Sequence, residues 1–451
     1  MFILMIITFV IGYACIALEN LLHVHKTATA LLLASFLWVF FALGDWSSFP
    51  DYINFSPIYN DFLSYCEHHP GTNFATWLAH VPLIEHLGEV SEILFFLLGA
   101  MTIVDIVDVY GGFRLITDKI NTTKKVSLLW IIGLLTFVMS AVLDNLTTSI
   151  VIVALLRKLI ADKKERWFFG SMVILAANAG GVWSPIGDIT TIMLWIAGKY
   201  SSNYIIINTF LPSLAAILIP FGILSFTMKG SITRLKINAT EKQVVFSKTI
   251  RNFVFFLGVG VLLFVPVFKT VTHLPPYLGM LGGLGILWIV TGFIHKRQLN
   301  NELSVHNILK RMDIPSLLFF LGILMAVSAL QSCGQLDLLS FSLGKIPMRD
   351  PNKYYLISMI IGILSSIIDN VPLVAGAMGM YHFPINHYFW TFLAYTAGTG
   401  GSLLIVGSAA GVAVMGMEKI DFVWYLKKIS WLALIGYLSG CFMYIFQQNL
   451  F

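Results

Sequence analysis

From Val126 to Leu156 the chain runs 31 residues with one charge, Asp144. As a single helix this stretch would extend roughly 46 Å, too long for a hydrocarbon layer of about 30 Å. It is also too short for two crossings of about 20 residues each. Basic residues flank both ends: Arg114, Lys119, Lys124 and Lys125 before it, Arg157, Lys158, Lys163, Lys164 and Arg166 after it. Lys and Arg favour the cytoplasmic side, so both ends fall on one face. The stretch therefore predicts a re-entrant hairpin over 126–156, with its tip at Asp144-Asn145 near the bilayer middle. Irregular backbone at that depth is tolerated only where protein or a water-filled cavity surrounds it, which marks the tip as a site.

The same phrase returns 225 residues later. Ser140-Ala-Val-Leu-Asp144-Asn145 is echoed by Ser365-Ser366-Ile-Ile-Asp369-Asn370. A second pair follows: Asn178-Ala-Gly180-Gly181-Val-Trp-Ser184-Pro185-Ile-Gly187-Asp188-Ile-Thr190-Thr191 matches Gly398-Thr399-Gly400-Gly401-Ser402-Leu-Leu-Ile-Val-Gly407-Ser408. A third precedes each hairpin, Leu94-Phe95-Phe96-Leu97 and Leu318-Phe319-Phe320-Leu321. Three matches in one order, at offsets of 220 to 225, describe two copies of one unit.

With 57% apolar and 11% charged residues over 451 positions, and a mean hydropathy of +0.83, the chain is a polytopic membrane protein. The net charge of +5 sits in short loops between spans and does not indicate nucleic acid. Cys15, Cys66, Cys333 and Cys441 are scattered without a CxxC pair, so they suggest neither a metal site nor a disulfide framework. Met1–Leu18 lacks a basic n-region and a cleavage site and reads as a first span. Expected crossings are 1–18, 27–43, 89–110, 167–195, 204–228, 252–268, 276–294, 314–333, 388–415 and 429–447, with a second hairpin at 355–380. The segment 44–88 carries Asp45, Asp51, Asp61, Glu67 and Glu85 but no Lys or Arg, and faces outward. Its Trp46, Tyr52, Tyr59 and Trp77 suit an interfacial position.

This topology leaves five basic residues outside, Lys199, Lys269, Lys345, Arg349 and Lys353, of 28 in all. It also turns span 89–110 outward-to-inward and its copy 314–333 the opposite way. The copies are then inverted, and the hairpins enter from opposite faces, a recurring design of secondary transporters. The expected organisation is 1–88 as two spans and an outer loop of a scaffold. The rest of repeat 1 is 89–228, with hairpin 126–156 and broken helix 167–195. A cytoplasmic connector over 229–251 follows, then repeat 2 at 252–451 with hairpin 355–380 and broken helix 388–415. The fold class is all-α and polytopic, with about ten full transmembrane helices and two re-entrant hairpins.

Three carboxylates fall at membrane depth: Asp144, Asp188 and Asp369. An ionised carboxylate there must be protonated, paired or bound to a cation. No Lys or Arg lies in these four segments. Their neighbours are neutral oxygen donors: Asn145, Thr147, Asn178, Ser184, Thr190, Thr191, Ser365, Asn370, Thr399, Ser402 and Ser408. Backbone carbonyls freed at Gly180-Gly181, Pro185-Gly187 and Gly400-Gly401 add to them. Hard oxygen ligands with negative charge suit Na⁺ or Li⁺, and the absence of Cys and His argues against a soft transition metal. Low-dielectric surroundings favour the protonated acid while a bound cation favours the ionised one. One carboxylate then holds a proton or a sodium ion but not both well, which is the minimal machinery of exchange. An anion symporter would place neutral groups and helix N-termini at the tips instead.

Each motif has a plainer reading. An isolated Asp-Asn in a helix is commonly a polar helix contact, and only its inverted repetition lifts it to a site. The Gly pairs could be close-packing positions. Glu92 reads equally as a proton-relay group or an interfacial residue. Asp105 and Asp108 read as ion-pair partners near Arg114. His68, His69, His80 and His86 read as solvated loop residues rather than pH sensors.

These residues resemble the NhaD family of sodium/proton antiporters within the ion transporter superfamily. The resemblance covers essentially the whole chain. Its most specific parts are Leu143-Asp144-Asn145-Leu-Thr147-Thr148, the stretch from Asn178 to Thr191, Phe95-Phe96-Leu-Leu-Gly99-Ala-Met-Thr-Ile-Val, and Ile368-Asp369-Asn370-Val-Pro372. It implies inverted units with hairpins and broken helices forming a transport domain that moves against a scaffold, and commonly a homodimer. It also implies ion binding at Asp144, Asn145, Asn178, Asp188, Thr190, Thr191, Asp369 and Asn370. The second broken helix departs from the first, with Thr399, Ser402 and Ser408 in place of Ala179, Val182 and Asp188. Arsenite-efflux and anion-symporter relatives share the architecture.

The chain thus reads as a secondary antiporter, not an enzyme, exchanging Na⁺ or Li⁺ for H⁺ by alternating access in a cell (inner) membrane. Na⁺ is expected at Asp144, Asn145, Asp369 and Asn370, with Asp188 a third carrier, and no cofactor. The alternatives are an arsenite or carboxylate transporter on the same fold, or a passive cation channel.

Overall fold

A computed structural model describes residues 1–17, 19–22, 24–44, 57–117, 120, 122–233, 247–296 and 313–450. Among these residues the secondary structure is helical, with one isolated backbone bridge between Lys124 and Ser231. Asp45, Trp46, Asp51 and Tyr52 of the outer segment lie outside the described residues. So do Lys119, positions 234–246 of the connector and the basic stretch 297–312.

Eight described helices are long and apolar enough to cross a membrane: Lys26–Leu43, Phe74–Val109, Lys125–Leu143, Ser202–Thr227, Lys248–Thr272, Pro276–Ile294, Ile314–Ser332 and Ser430–Leu450. Several of their starts carry a polar side-chain cap, whereas Lys125–Leu143 and Ser202–Thr227 start without one. Asp313 Oδ1 accepts from Ser316 N (3.1 Å) and Ser247 Oγ from Ile250 N (3.3 Å). The expected first span is shorter than anticipated, 16 residues over Phe2–Ala17.

The helices carrying the polar segments are labelled here α1 Lys125–Leu143, α2 Asn145–Leu159, α3 Lys163–Gly181, α4 Ile189–Ile196, α5 Asn352–Leu364, α6 Asn370–Met380, α7 Tyr388–Gly400 and α8 Ala409–Glu418. The runs 167–195 and 388–415 are each interrupted, between α3 and α4 and between α7 and α8. In the 126–156 run the break falls late, so α1 has 19 residues and is itself of crossing length. The cause is Asp144, whose φ of 72° and ψ of 162° no α-helix can include.

The described chain divides into two compact units, each drawing on both halves of the sequence. One comprises Met1–Leu94, Asp313–Lys353 and Val371–Pro384. In it the helices Lys26–Leu43 and Ile314–Ser332 lie side by side. Trp38 Nε1 donates to Met325 O (2.8 Å), and a side chain at Gly322 would strike the Ala30 backbone at 2.6 Å. From Pro57 onward its outer segment is mainly helical rather than a solvated loop. Phe62, Phe74 and Trp77 form an aromatic cluster with ring centroids 5.3 to 5.6 Å apart, which folds this segment into two helices, Pro57–His68 and Phe74–His80. His68, His69 and His80 are exposed, but His86 departs from the solvated reading. Its side chain is 15% exposed and its Nε2 lies 2.8 Å from Ser332 Oγ. A cavity of about 470 Å³ opens there, lined by Asp61, Tyr65, His68, His69, Glu85 and His86 among others.

The second unit comprises Phe95–Met312, Tyr354–Asn370 and Ile385–Phe451. It contains α1 to α4, α5 from Tyr354 onward, Asn370, α7 and α8, and therefore the whole hydrogen-bonded cluster described next. Its helices Ser202–Thr227 and Ser430–Leu450 approach backbone to backbone. A Cβ at Gly436 would sit 2.4 Å from Ala216 O.

Candidate functional site

Each polar group is placed by a helix that stops or starts beside it. Asp144 closes α1 and caps α2: its Oδ1 accepts from Thr147 N (2.8 Å) and its Oδ2 from Thr147 Oγ1 (2.9 Å). The break after α3 ends at Asp188, which caps α4. Asp188 Oδ1 accepts from Thr190 N (2.8 Å) and Thr190 Oγ1 (2.7 Å). The Thr191 hydroxyl completes a capping box on the Asp188 backbone. The break after α7 ends at Ser408, which caps α8 by accepting from Gly411 N at 3.1 Å. Asp188 and Ser408 share one backbone conformation, φ −144° and ψ 149° against φ −139° and ψ 153°. The two breaks are the same turn carrying different side chains.

Arm and break meet through matching contacts in both copies. Ser140 Oγ donates to Ala177 O (2.6 Å) and Ser365 Oγ to Ala397 O (2.7 Å). Glycine is required where these pieces touch. A Cβ at Gly187 would lie 2.6 Å from Gly181 O and 2.8 Å from Ser140 O, and one at Gly407 would lie 2.5 Å from Ser366 O. The carbonyls at the breaks are not all free, as the sequence had suggested. Of the carbonyls expected to be free, Gly400 O accepts from Leu403 N (3.0 Å). Beside the breaks, Val182 O accepts from Thr209 Oγ1 (3.1 Å), Ser402 O from Tyr425 OH (2.8 Å), and Ala141 O from Ser184 Oγ. Buried carbonyls need partners, and side chains on neighbouring helices supply them.

The polar cluster converges on Asp188, 1% exposed. Its Oδ2 accepts a short hydrogen bond from Asn145 Nδ2, and its Oδ1 accepts from Asn370 Nδ2 at 3.4 Å. One carboxylate thus collects the amides that follow both Asp144 and Asp369. Asn178 is the second junction. Its Oδ1 accepts from Asn145 Nδ2 (3.1 Å), and its Nδ2 donates to Ser402 Oγ (2.8 Å) and Ser408 Oγ (2.9 Å). Asn145, Asn178, Asn370, Ser402 and Ser408 are all buried.

The structure therefore gathers Asn145, Asn178, Asp188, Thr190, Asn370, Ser402 and Ser408 into one hydrogen-bonded cluster. Asp144 and Thr147 form a half-buried pair immediately next to Asn145. Asp369 is half-buried beside Asn370. Thr191, Ser365 and Thr399 direct their hydroxyls to backbone carbonyls, Thr399 to Tyr395 O on its own helix. Glu92 is half-buried on the helix Pro82–Val109, in the stretch belonging to the other unit. Ser140 was legible from its repetition as Ser365 but carried no role. Thr148, whose hydroxyl is buried without a protein partner, gave no such signal. Glu418 was missed as well. It is a buried carboxylate between Arg157 and Arg166.

Chemically the cluster is one central carboxylate, two flanking ones, three amides and several hydroxyls. The donors are carboxylate, amide and hydroxyl oxygens, hard ligands of the kind that suit alkali cations better than soft transition metals. An Asn amide that now donates through Nδ2 offers Oδ1 as a ligand after a half-turn of χ2.

A family described as citrate transporter matches residues 3–398. Sodium/proton antiporter 1 of Arabidopsis thaliana is 44% identical to the chain over 99% of it and 72% of the plant protein. Sodium/proton antiporter 2 of the same plant is 42% identical over 99% of each chain. The Na⁺/H⁺ antiporter NhaD of Vibrio cholerae is 29% identical over 98% of this chain and 91% of its own.

Proposed function

The chain belongs to the citrate-transporter family and, within it, to the NhaD family of sodium/proton antiporters; from that premise we propose that it exchanges Na⁺ (or Li⁺) for H⁺ across the membrane by alternating access. The observation that carries the reading is Asp188, a buried carboxylate that accepts amides from the tips of both repeats. Asp188 and its flanking partners Asp144 and Asp369 are the groups that trade protons for cations. With a proton bound, a carboxyl needs no counter-charge at membrane depth. With the proton released, the carboxylate needs a cation, and the oxygens of Asn145, Asn178, Asn370, Thr190, Ser402 and Ser408 complete its shell. The two occupants exclude each other, so downhill H⁺ entry drives Na⁺ exit.

In this reading the arms α1–α2 and α5–α6 are re-entrant hairpins of inverted repeats. The 225-residue offset of the Asp-Asn phrase supports this, as do the matched contacts of Ser140 and Ser365. The hairpins and broken helices are the moving part, 1–88 belongs to the scaffold, Glu92 is a candidate relay, and the protein works as a homodimer in a cell membrane. The moving part, the scaffold and the homodimer rest on family resemblance, and Glu92 on its place at the start of a span.

The test is a proton-gradient assay in everted vesicles with a pH-sensitive dye. Na⁺ or Li⁺, but not K⁺ or choline, dissipates an imposed gradient in the wild type. The response is lost in Asp144→Asn, Asp188→Asn and Asp369→Asn while the protein still inserts. Silence toward every cation would sink the proposal. The description of the matching family favours a second reading, a carboxylate transporter; saturable uptake of labelled citrate that survives all three substitutions would establish it.

A further inference from the structure

The helices that carry the cluster meet a second time. At its far end α2 presents Arg157, α3 presents Arg166 near its start, and α8 ends at Glu418. Glu418 has a side chain 3% exposed, and its two oxygens accept from Arg157 Nε (2.6 Å) and Arg166 Nε (3.0 Å). Backbone contacts lock the same junction. Trp167 Nε1 donates to Glu418 O (3.0 Å), Arg157 Nη2 to Met417 O, and Arg166 Nη1 to Ile160 O (3.0 Å) and Ala161 O (2.8 Å). At the other end of these three helices Asn145, Asn178 and Ser408 are bonded in a row. Asn145 to Arg157 and Arg166 to Asn178 are 12 residues each, and Ser408 to Glu418 is 10. At 1.5 Å per residue these are struts of about 18, 18 and 15 Å, fixed at both ends.

We infer that Glu418 is a positioning residue for the cation site, setting the register of α2, α3 and α8 and hence the placement of Asn145, Asn178 and Ser408. The inference rests on the reading of that cluster as the cation site. A slide of one helix by one residue moves its amide by about 1.5 Å, enough to break a hydrogen bond of ordinary length. A buried carboxylate held by two guanidiniums resists such a slide, because separating either partner leaves a charge unpaired. Glu165, one residue before Arg166, ties the start of α3 to α1 in the same way, through Lys125 Nζ at 2.7 Å.

Two readouts test this on purified full-length protein. In proteoliposomes, Glu418→Gln raises the apparent KM for Na⁺ about tenfold with Vmax per molecule held within about twofold, and Glu418→Asp falls between it and the wild type. Arg157→Gln moves KM in the same direction by a smaller factor. Arg157 is 46% exposed, so this variant folds even if Glu418→Gln does not. Spin labels at the exposed Ile150 and Val412, near the site ends of α2 and α8, report the register directly. Their distance distribution shifts or broadens in the same variants. An unchanged distribution, or a shifted one with wild-type KM, overturns the inference. If the wild type shows no Na⁺-coupled proton flux while the distribution still shifts, the sodium reading fails and the positioning role stands.

Discussion

The two regions that carry the recurring Asp-Asn and Gly-Gly phrases differ most where they are most alike. Their breaks share a backbone turn, a serine from the preceding arm and a glycine contact, yet the first ends on Asp188 and the second on Ser408. Their tips differ in the opposite sense. Both carry Asp-Asn, but the first arm runs helical to Leu143 and turns at a single residue of φ 72°. The second ends at Leu364 and needs residues 365–369 to make its turn. The frame is duplicated and the charge is not. A symmetric pair of acidic breaks would bring a fourth carboxylate into the cluster beside Asn178, in segments that contain no Lys or Arg. With serine there instead, Asn178 donates both amide hydrogens to hydroxyls, and Asp188 alone takes the amides of both tips.

The largest expected effect separates the breaks. Asp188→Asn removes the charge and one of the two acceptor oxygens of a buried network and puts an NH2 donor against a tip amide, a change of about 3–5 kcal/mol, or more than a hundredfold in Na⁺-driven exchange. Ser408→Ala removes one neutral acceptor and costs about tenfold at most. The exchange Asp188→Ser with Ser408→Asp sharpens the point: it stays inactive, because both tip amides still face position 188. Recovery of vesicle activity in that double variant would show the breaks to be interchangeable. The tips come next. Asp144→Gly loses exchange but keeps its melting temperature within a few degrees, since relief of about 1–2 kcal/mol of backbone strain offsets a lost cap of about 1 kcal/mol. Asp369, which has no positive φ, gains nothing from glycine, so Asp369→Gly melts lower. Proton competition predicts that the apparent KM for Na⁺ rises as pH falls while Vmax holds; a falling Vmax at constant KM would break it. The smallest effect is the one shared by both copies. Ser140→Ala and Ser365→Ala each cost about 1 kcal/mol of stability, and unequal losses by thermal melting would show the frame itself to be asymmetric.

Much of this was legible in the chain. A lone Asp in an apolar run, the repeated Gly-Gly-to-Gly spacing and the basic flanks located the breaks, because helix interruption is a local property of a few residues. The ranking inside the cluster was not legible. Spacing placed Asp144 and Asp369 at the tips, but which carboxylate collects both asparagines depends on three-dimensional approach over 182 positions of sequence, between Asp188 and Asn370. Glu418 was hidden for a related reason. It stands at the end of an apolar helix among ordinary basic and acidic residues, and only its pairing across 252 and 261 positions distinguishes it.

The glycine contacts have a consequence for how such a protein can change. Where Gly187 meets Gly181 and Ser140, and Gly407 meets Ser366, main chain lies on main chain with no room for a methyl group. Selection for another ion has no lever at those seams, since every substitution there enlarges what cannot yield. A search for variants with altered ion preference will therefore leave the glycines untouched. It will draw its solutions from the side chains around Asp188, where a hydroxyl and an amide can be traded without moving a backbone.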